Sequence, residues 1–261
     1  MRVAWVTRVV LPPAVFGLLL FGAWELAVAL FDIKPYFLVP PSAIAGRFVD
    51  NFELIWAAMQ VSGANALIGL LLGAVFGVAM SFLLLRFRAL DEIVTPLSIA
   101  LNAVPIFVLV AVFNNMFAIT SEVPRRLMVT LVVYFVVLVN VARGLRDVDA
   151  THVELMQSYA AGEWQILQRV RVPNAVPYFF TALKIAAPLS VITAFVSEYF
   201  GGSQNGLGNK ITSNLATSKK AEGWAYVAGA CLLGLAFFLI AVAIEAVATP
   251  GGVGEQGREG G

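Results

Sequence analysis

Six long runs of apolar residues dominate the chain, at positions 14–31, 59–85, 93–118, 127–141, 177–200 and 226–248, and charge gathers in the segments between them. A helix that crosses about 30 Å of hydrocarbon needs about 20 mainly apolar residues. The runs therefore predict about six membrane-crossing helices, the fourth short and the second long. None of them alternates apolar with polar residues as the strands of a transmembrane barrel must. The expected fold class is all-α, a polytopic membrane bundle. Arg2 and Arg8 ahead of the first run give it the charge order of a signal peptide, but the run is too long and no small-x-small cleavage site follows. It reads as a retained anchor.

The pattern divides the chain into an N-terminal segment 1–13, a membrane body 14–248 and a Gly-rich tail 249–261 that is expected to be flexible. Six crossings place both termini on one face. Nine Arg and Lys fall on that face and seven on the other, a weak bias towards cytoplasmic termini. Lys184, inside the fifth run, is long enough to snorkel to the nearer, inner surface. Two connections are long enough to carry structure. Residues 142–176 hold four Arg, four acids and the single His on the inner face, and residues 201–225, rich in Gly, Ser and Asn, predict a short helix or re-entrant turn on the outer face.

Composition narrows the function. Of the 261 residues 60% are apolar and 13% are charged, against about 25% charge in a soluble domain. That excludes a disordered chain and an ordinary soluble domain. A net charge of +1 leaves no electrostatic footprint for nucleic acid. One cysteine, Cys231, and one histidine, His152, exclude an internal disulfide and a multi-histidine metal site, and no cofactor is expected. Neither Gly-x-Ser-x-Gly nor His-Glu-x-x-His occurs, and Gly206-Leu207-Gly208-Asn209-Lys210 lacks the Gly-Lys-Ser/Thr of a phosphate loop. The chain is thus not expected to be an enzyme, and if it pumps, another polypeptide supplies the energy.

Several positions inside the runs carry information. Gly69, Gly73 and Gly77 recur every four residues and place a small-residue packing seam on one face of the second helix. Pro96 and Pro105, with Asn102 one turn before the latter, free carbonyls that a neighbour or a water-lined cavity must satisfy. A kink lining a pathway and a packed structural kink both fit. Glu25, Glu198 and Glu245 lie within or at the ends of runs, where a carboxylate is expensive. Interfacial or helix-pairing roles are expected for all three, with Glu198 and Glu245 reaching the outer and inner interfaces.

The inner connection reads Glu154-Leu155-Met156-Gln157-Ser158-Tyr159-Ala160-Ala161-Gly162-Glu163-Trp164, then Val172-Pro173 and Pro177. It resembles the cytoplasmic loop of bacterial ABC-importer permeases, Glu-Ala-Ala, three residues, Gly, nine or more residues, an apolar residue and Pro. Leu155 and Met156 replace the two alanines, and Ala160 stands where the family has glycine. The resemblance extends over most of the chain and is closest to the nitrate/sulfonate/taurine branch, which includes importers of thiamine precursors and riboflavin. Trp24-Glu25, Pro40-Pro41-Ser42, Pro105, Glu198-Tyr199-Phe200-Gly201 and Gly206-Leu207-Gly208 match it in order.

The resemblance implies a permease subunit that works with cytoplasmic ABC ATPases, a second permease, identical or different, and an extracytoplasmic solute-binding protein, in a bacterial cell membrane. A short helix around 160–164, exposed by prolines ending the next segment, would insert into a groove of the ATPase. Glu154, Ala160, Ala161, Gly162, Glu163 and Trp164 are the expected docking residues, with Glu154 held by Arg143 or Arg146. Asn102, Pro105, Glu198, Gly206 and Gly208 are the candidates for lining or gating the solute path. The rival class, an ATP-independent channel or secondary carrier, calls for intramembrane ion ligands or paired half-repeats, and no second copy of segment 142–176 exists.

Overall fold

The computed structural model describes residues 11–249 except 103, 118–120 and 202–204; of the helical residues 99, 101, 102 and 107 only the backbone is described. Most of the N-terminal segment and nearly all of the tail thus lie outside the described residues. The described chain is helical: α1 (Leu11–Leu30), α2 (Pro41–Asp50), α3 (Phe52–Arg86), α4 (Arg88–Asn102), α5 (Ile106–Met116), α6 (Val123–Arg146), α7 (Ala150–Ser158), α8 (Glu163–Ile166), a π-helical turn (Leu167–Arg171), α9 (Val172–Tyr199), α10 (Leu207–Ala216) and α11 (Lys220–Ala248). The helices α1, α3, α6 and α11, and the continuous run Glu163–Tyr199, are each long and apolar enough to cross a membrane.

The third apolar run differs from the single crossing expected over 93–118. Pro105 has no N–H to give, its residue sits at φ −57°, ψ 125°, and the run is divided there into α4 and α5. The fifth crossing is longer than expected. Pro173 was expected to end the segment before it, but the helix runs through: Val172 N–H bonds to Leu167 O, five residues back, and Pro173 falls in the first turn of α9, where a missing donor costs little.

The core is the sandwich of α3, α6 and α9. Gly69, Gly73 and Gly77 lie against α6. A Cβ on Gly73 would stand 2.7 Å from Thr130 O and from Val133 Cβ, and one on Gly77 2.8 Å from Val137 Cβ, while one on Gly69 would overlap Val129. The glycines and the three valines share the same four-residue spacing, so ridge meets groove along the seam. Ala182, Ala186, Ala187 and Ala194 of α9 close the core from the other side. A second cluster, Ile55, Ala58, Leu207, Ile211, Ala225 and Tyr226, gathers α10 and the start of α11 onto the start of α3. The outward faces of α1 and α11 are apolar and exposed, as lipid-facing helices require.

Candidate functional site

Two places depart from plain helix packing, one at each end of the bundle. At the first, the C-terminal ends of α3 and α6 meet the N-terminal ends of α4 and α9. Helix ends leave carbonyls without partners, and here α9 and the π-helical turn before it supply donors. Asn174 Nδ2 bonds to Gly144 O and Asp147 O, both at 2.8 Å, Arg171 bonds to Leu145 O at 2.9 Å, and Tyr178 Oη donates to Asp147 Oδ2 at 2.7 Å. Both roots of the connecting loop are fastened by these bonds. Arg146 pairs with Asp91 of α4 at 2.8 Å, and Arg143 lies 3.9 Å from Asp147. Neither arginine holds Glu154, which is exposed.

The loop is built as helix, turn, helix. Asp149 Oδ1 accepts from Thr151 N–H at 2.8 Å and caps the start of α7. The helix ends in a double-bonded turn: Ala160 N–H to Gln157 O at 2.8 Å and Ala161 N–H to Met156 O at 3.0 Å. This turn needs a left-handed residue, and Ala160 supplies it at φ 57°. Gly162 N–H then bonds to Gln165 Oε1 at 3.1 Å and opens α8. The short helix expected around 160–164 is therefore displaced. Ala160, Ala161 and Gly162 form the elbow, α7 precedes it, and Glu163 and Trp164 begin a helix that continues into the membrane. The cause is local: Ala160 in the left-handed region cannot continue a right-handed helix.

The elbow presents an apolar surface. Tyr159 is 78% exposed, Trp164 66% and Leu155 53%. Gly162 has open space where a Cβ would stand. Behind it lies a groove of 730 Å³ between the end of α3 and the loop. A second cleft, 550 Å³, lies between α4 and α6 and is bordered by Thr95, Ser98, Arg143 and Arg146.

At the opposite end a buried polar site centres on Glu198, expected at the outer interface but fully buried. Its carboxylate accepts from Ser62 Oγ at 2.7 Å and from Gly208 N–H at 3.1 Å, while Leu207 N–H donates to Ser62 Oγ at 2.9 Å and Asn209 Nδ2 to Glu198 O at 2.6 Å. The first donors of α10 thus find acceptors in Glu198 and Ser62. Gly206 and Gly208 permit this. A Cβ on Gly206 would overlap the Glu198 carboxylate, and one on Gly208 would overlap Phe195 O. Nearby, Glu122 pairs with Arg125 and accepts from Asn65 Nδ2 at 2.7 Å, and Arg126 donates to Asn65 Oδ1 at 3.0 Å.

Glu198, Gly206 and Gly208 are brought together; Asn102's side chain lies outside the described residues, and Pro105 is exposed at the break between α4 and α5. Glu25 accepts from Ser42 N–H at 3.0 Å and Ser42 Oγ at 2.6 Å, so α1 caps α2. Glu245, for which an interfacial or helix-pairing role is expected, takes the second: it pairs with Lys184 at 2.7 Å and joins α11 to α9. Ser62, Asn65 and Arg125 do not stand out in the sequence as members of this site. Their signal was present in part, because Ser62 and Asn65 lie on the face that carries Gly69 and Gly73, and polar groups in an apolar run need partners.

Residues 69–251 match the family model for binding-protein-dependent transport system inner membrane components. The chain is 33% identical to the formylaminopyrimidine transport permease protein ThiX of Halalkalibacterium halodurans, over 76% of this chain and 78% of that protein. It is 29% identical to a probable ABC transporter permease protein of Haemophilus influenzae, over 77% and 81%. It is 25% identical to the taurine transport system permease protein TauC of Escherichia coli, over 80% and 79%. With crossing helices, a fastened elbow and this breadth of similarity, the chain belongs to the ABC-transporter permease family of binding-protein-dependent inner membrane components.

Proposed function

We propose that the chain is the membrane-spanning, non-catalytic subunit of an ABC importer, worked by ATPase subunits that grip the elbow between α7 and α8. The observation that carries this reading is the elbow itself. It exposes Leu155, Tyr159 and Trp164 on a loop whose two roots are hydrogen-bonded to the bundle. Aromatic side chains presented on a rigid support are what a binding hot spot requires. Docking on this surface moves the bundle as a body, because Trp164 sits at the start of a helical run that reaches Tyr199.

The elbow end then faces the cytoplasm of a bacterial cell, the termini lie on the same side, and an extracytoplasmic binding protein delivers solute to the end that holds Glu198. A second permease, identical or different, completes the path. Pro105 at the break of the third crossing, with Asn102 before it, forms the movable wall, and Glu198, Gly206 and Gly208 frame the outer mouth by seating α10. The cargo is a small organic or oxyanionic solute. Support comes from the relatives, whose names specify a formylaminopyrimidine and taurine.

The test uses Gly162→Trp and Trp164→Ala in membranes that also contain the ATPase and binding-protein subunits. Gly162 has room for a side chain within this subunit, so the first variant inserts normally and blocks only docking. Solute uptake and solute-stimulated ATP hydrolysis should fall at least tenfold, the loss of about 1.4 kcal/mol or more of coupling. Unchanged coupling in both variants rejects the docking surface, and full-rate uptake by the chain without any ATPase rejects the importer.

A further inference from the structure

We infer that the groove between the end of α3 and the elbow is a binding site for an anionic phospholipid, with the headgroup phosphate on Arg86 and Arg171 and the acyl chains along α3. This site adjoins the ATPase-docking surface and shares Glu163 and Trp164 with it, and the inference does not rest on the importer reading. The groove has 730 Å³, room for a headgroup and the first part of its chains. Its deep wall is apolar, Phe82 and Leu85 of α3 facing Ile166 and Leu167. Its rim carries Arg86 and Arg171. Arg86 is in the last turn of a 35-residue apolar helix, so the groove straddles the level where hydrocarbon gives way to headgroups.

Charge complementarity identifies the occupant. Among the described residues neither Arg86 nor Arg171 has a carboxylate within ion-pair distance. Arg171 spends one donor on Leu145 O, and Arg86 lies 5.6 Å from the centre of the Phe87 ring. Guanidinium groups without a carboxylate partner at the edge of an apolar groove suit a phosphodiester, which accepts their donors in a forked geometry. Gln157 and Glu163 stand on the same rim, able to accept from the hydroxyls of a glycerol headgroup. Trp164 closes the groove with a ring of the kind enriched at the membrane interface. Helix α7 serves both surfaces without conflict. Val153 and Gln157, one turn apart, face the groove, whereas Leu155 and Tyr159 point outward.

The site is tested on the purified, delipidated full chain by native mass spectrometry with added phosphatidylglycerol, phosphatidylethanolamine or phosphatidylcholine. One phosphatidylglycerol should be retained per chain in preference to the two zwitterionic lipids. Arg86→Gln and Arg171→Gln should each weaken retention about fivefold, with the thermal unfolding of Arg86→Gln unchanged because its side chain makes no hydrogen bond to the bundle. Glycerol 3-phosphate, which has the headgroup chemistry without the chains, should not compete. Equal retention of all three lipids, indifference to Arg86→Gln, or full competition by glycerol 3-phosphate would each overturn the proposal. Displacement of the lipid by ATPase subunits would assign the groove to the protein partner and overturn it as well. The lipid and variant outcomes do not bear on uptake or ATP hydrolysis, and displacement by ATPase subunits would favour the importer reading, so failure here is distinct from failure of that reading.

Discussion

Ala160 holds φ at 57° in the turn that ends α7, a conformation that costs an L-residue with a Cβ more than it costs glycine. The permease loop pattern has glycine at this position. Replacing Ala160 by Gly should therefore stabilise the elbow by about 1 kcal/mol, seen as slower amide exchange over 155–162 in deuterium-exchange measurements. Exchange that quickens would mean that the alanine restricts the unfolded loop more than it strains the folded one. Ser62 makes the contrasting case. Its hydroxyl donates to Glu198 and accepts from Leu207 N–H, all fully buried. Ser62→Ala orphans one backbone donor and takes one donor from a buried carboxylate, at a cost of about 1–3 kcal/mol. A lowered melting temperature in detergent, with faster exchange in α10, is the expected result.

Among the elements, α3 shows how far the chain could be read directly. Its glycine seam is visible as a four-residue period, and its buried face continues that seam as Ser62, Asn65, Ala66, Gly69, Gly73, Gly77 and Ser81. The polar end of the stripe was not legible, since its partners Glu198 and Glu122 lie far away in sequence and only the fold joins them. Glu25 illustrates the same point: Trp24-Glu25 and Pro40-Pro41-Ser42 stand out separately, yet their meaning is one helix cap. Gly73→Val would press a branched side chain into Thr130 O and Val133, so α3 and α6 must part, at a cost of about 1–3 kcal/mol. Gly234→Val on the open face of α11 should leave the melting temperature nearly unchanged. Helix α4 is tied to α6 by Asp91, whose carboxyl is held below its ordinary value by the Arg146 guanidinium and the Thr95 hydroxyl. A depressed carboxylate contributes stability above its unfolded pKa and loses it as pH falls through the folded one. The stability lost in Asp91→Asn should thus be constant from about pH 5 to about pH 8 and shrink only under stronger acid, below the ordinary carboxylate range.

At the scale of the whole molecule, one path links the two ends. The helical run Glu163–Tyr199 has 37 residues, about 55 Å at the usual rise. It begins beside the elbow and ends at the Glu198 site that seats α10. Pro173 and Pro177 are expected to end the segment before them, yet the helix runs through both: Pro173 falls in the first turn of α9, directly after the π turn Leu167–Arg171, and Pro177 lies inside α9. The helices α3, α6 and α9 interlock through small residues, so on the proposed reading a push at Trp164 would move them as one block. The wall proposed to yield is α4–α5, which is broken at Pro105 and leaves Ile93, Leu97 and Met116 exposed. Pro105→Ala restores the missing donor and favours a continuous helix through the break. If the break is the hinge of the gate, solute uptake falls while ATP hydrolysis by the assembled complex and the melting temperature stay near those of the unmodified chain. If Pro105 serves packing alone, the order reverses: the melting temperature drops first, and uptake follows only in proportion to the folded protein that remains. Measuring all three quantities on the same membrane preparation separates the two readings.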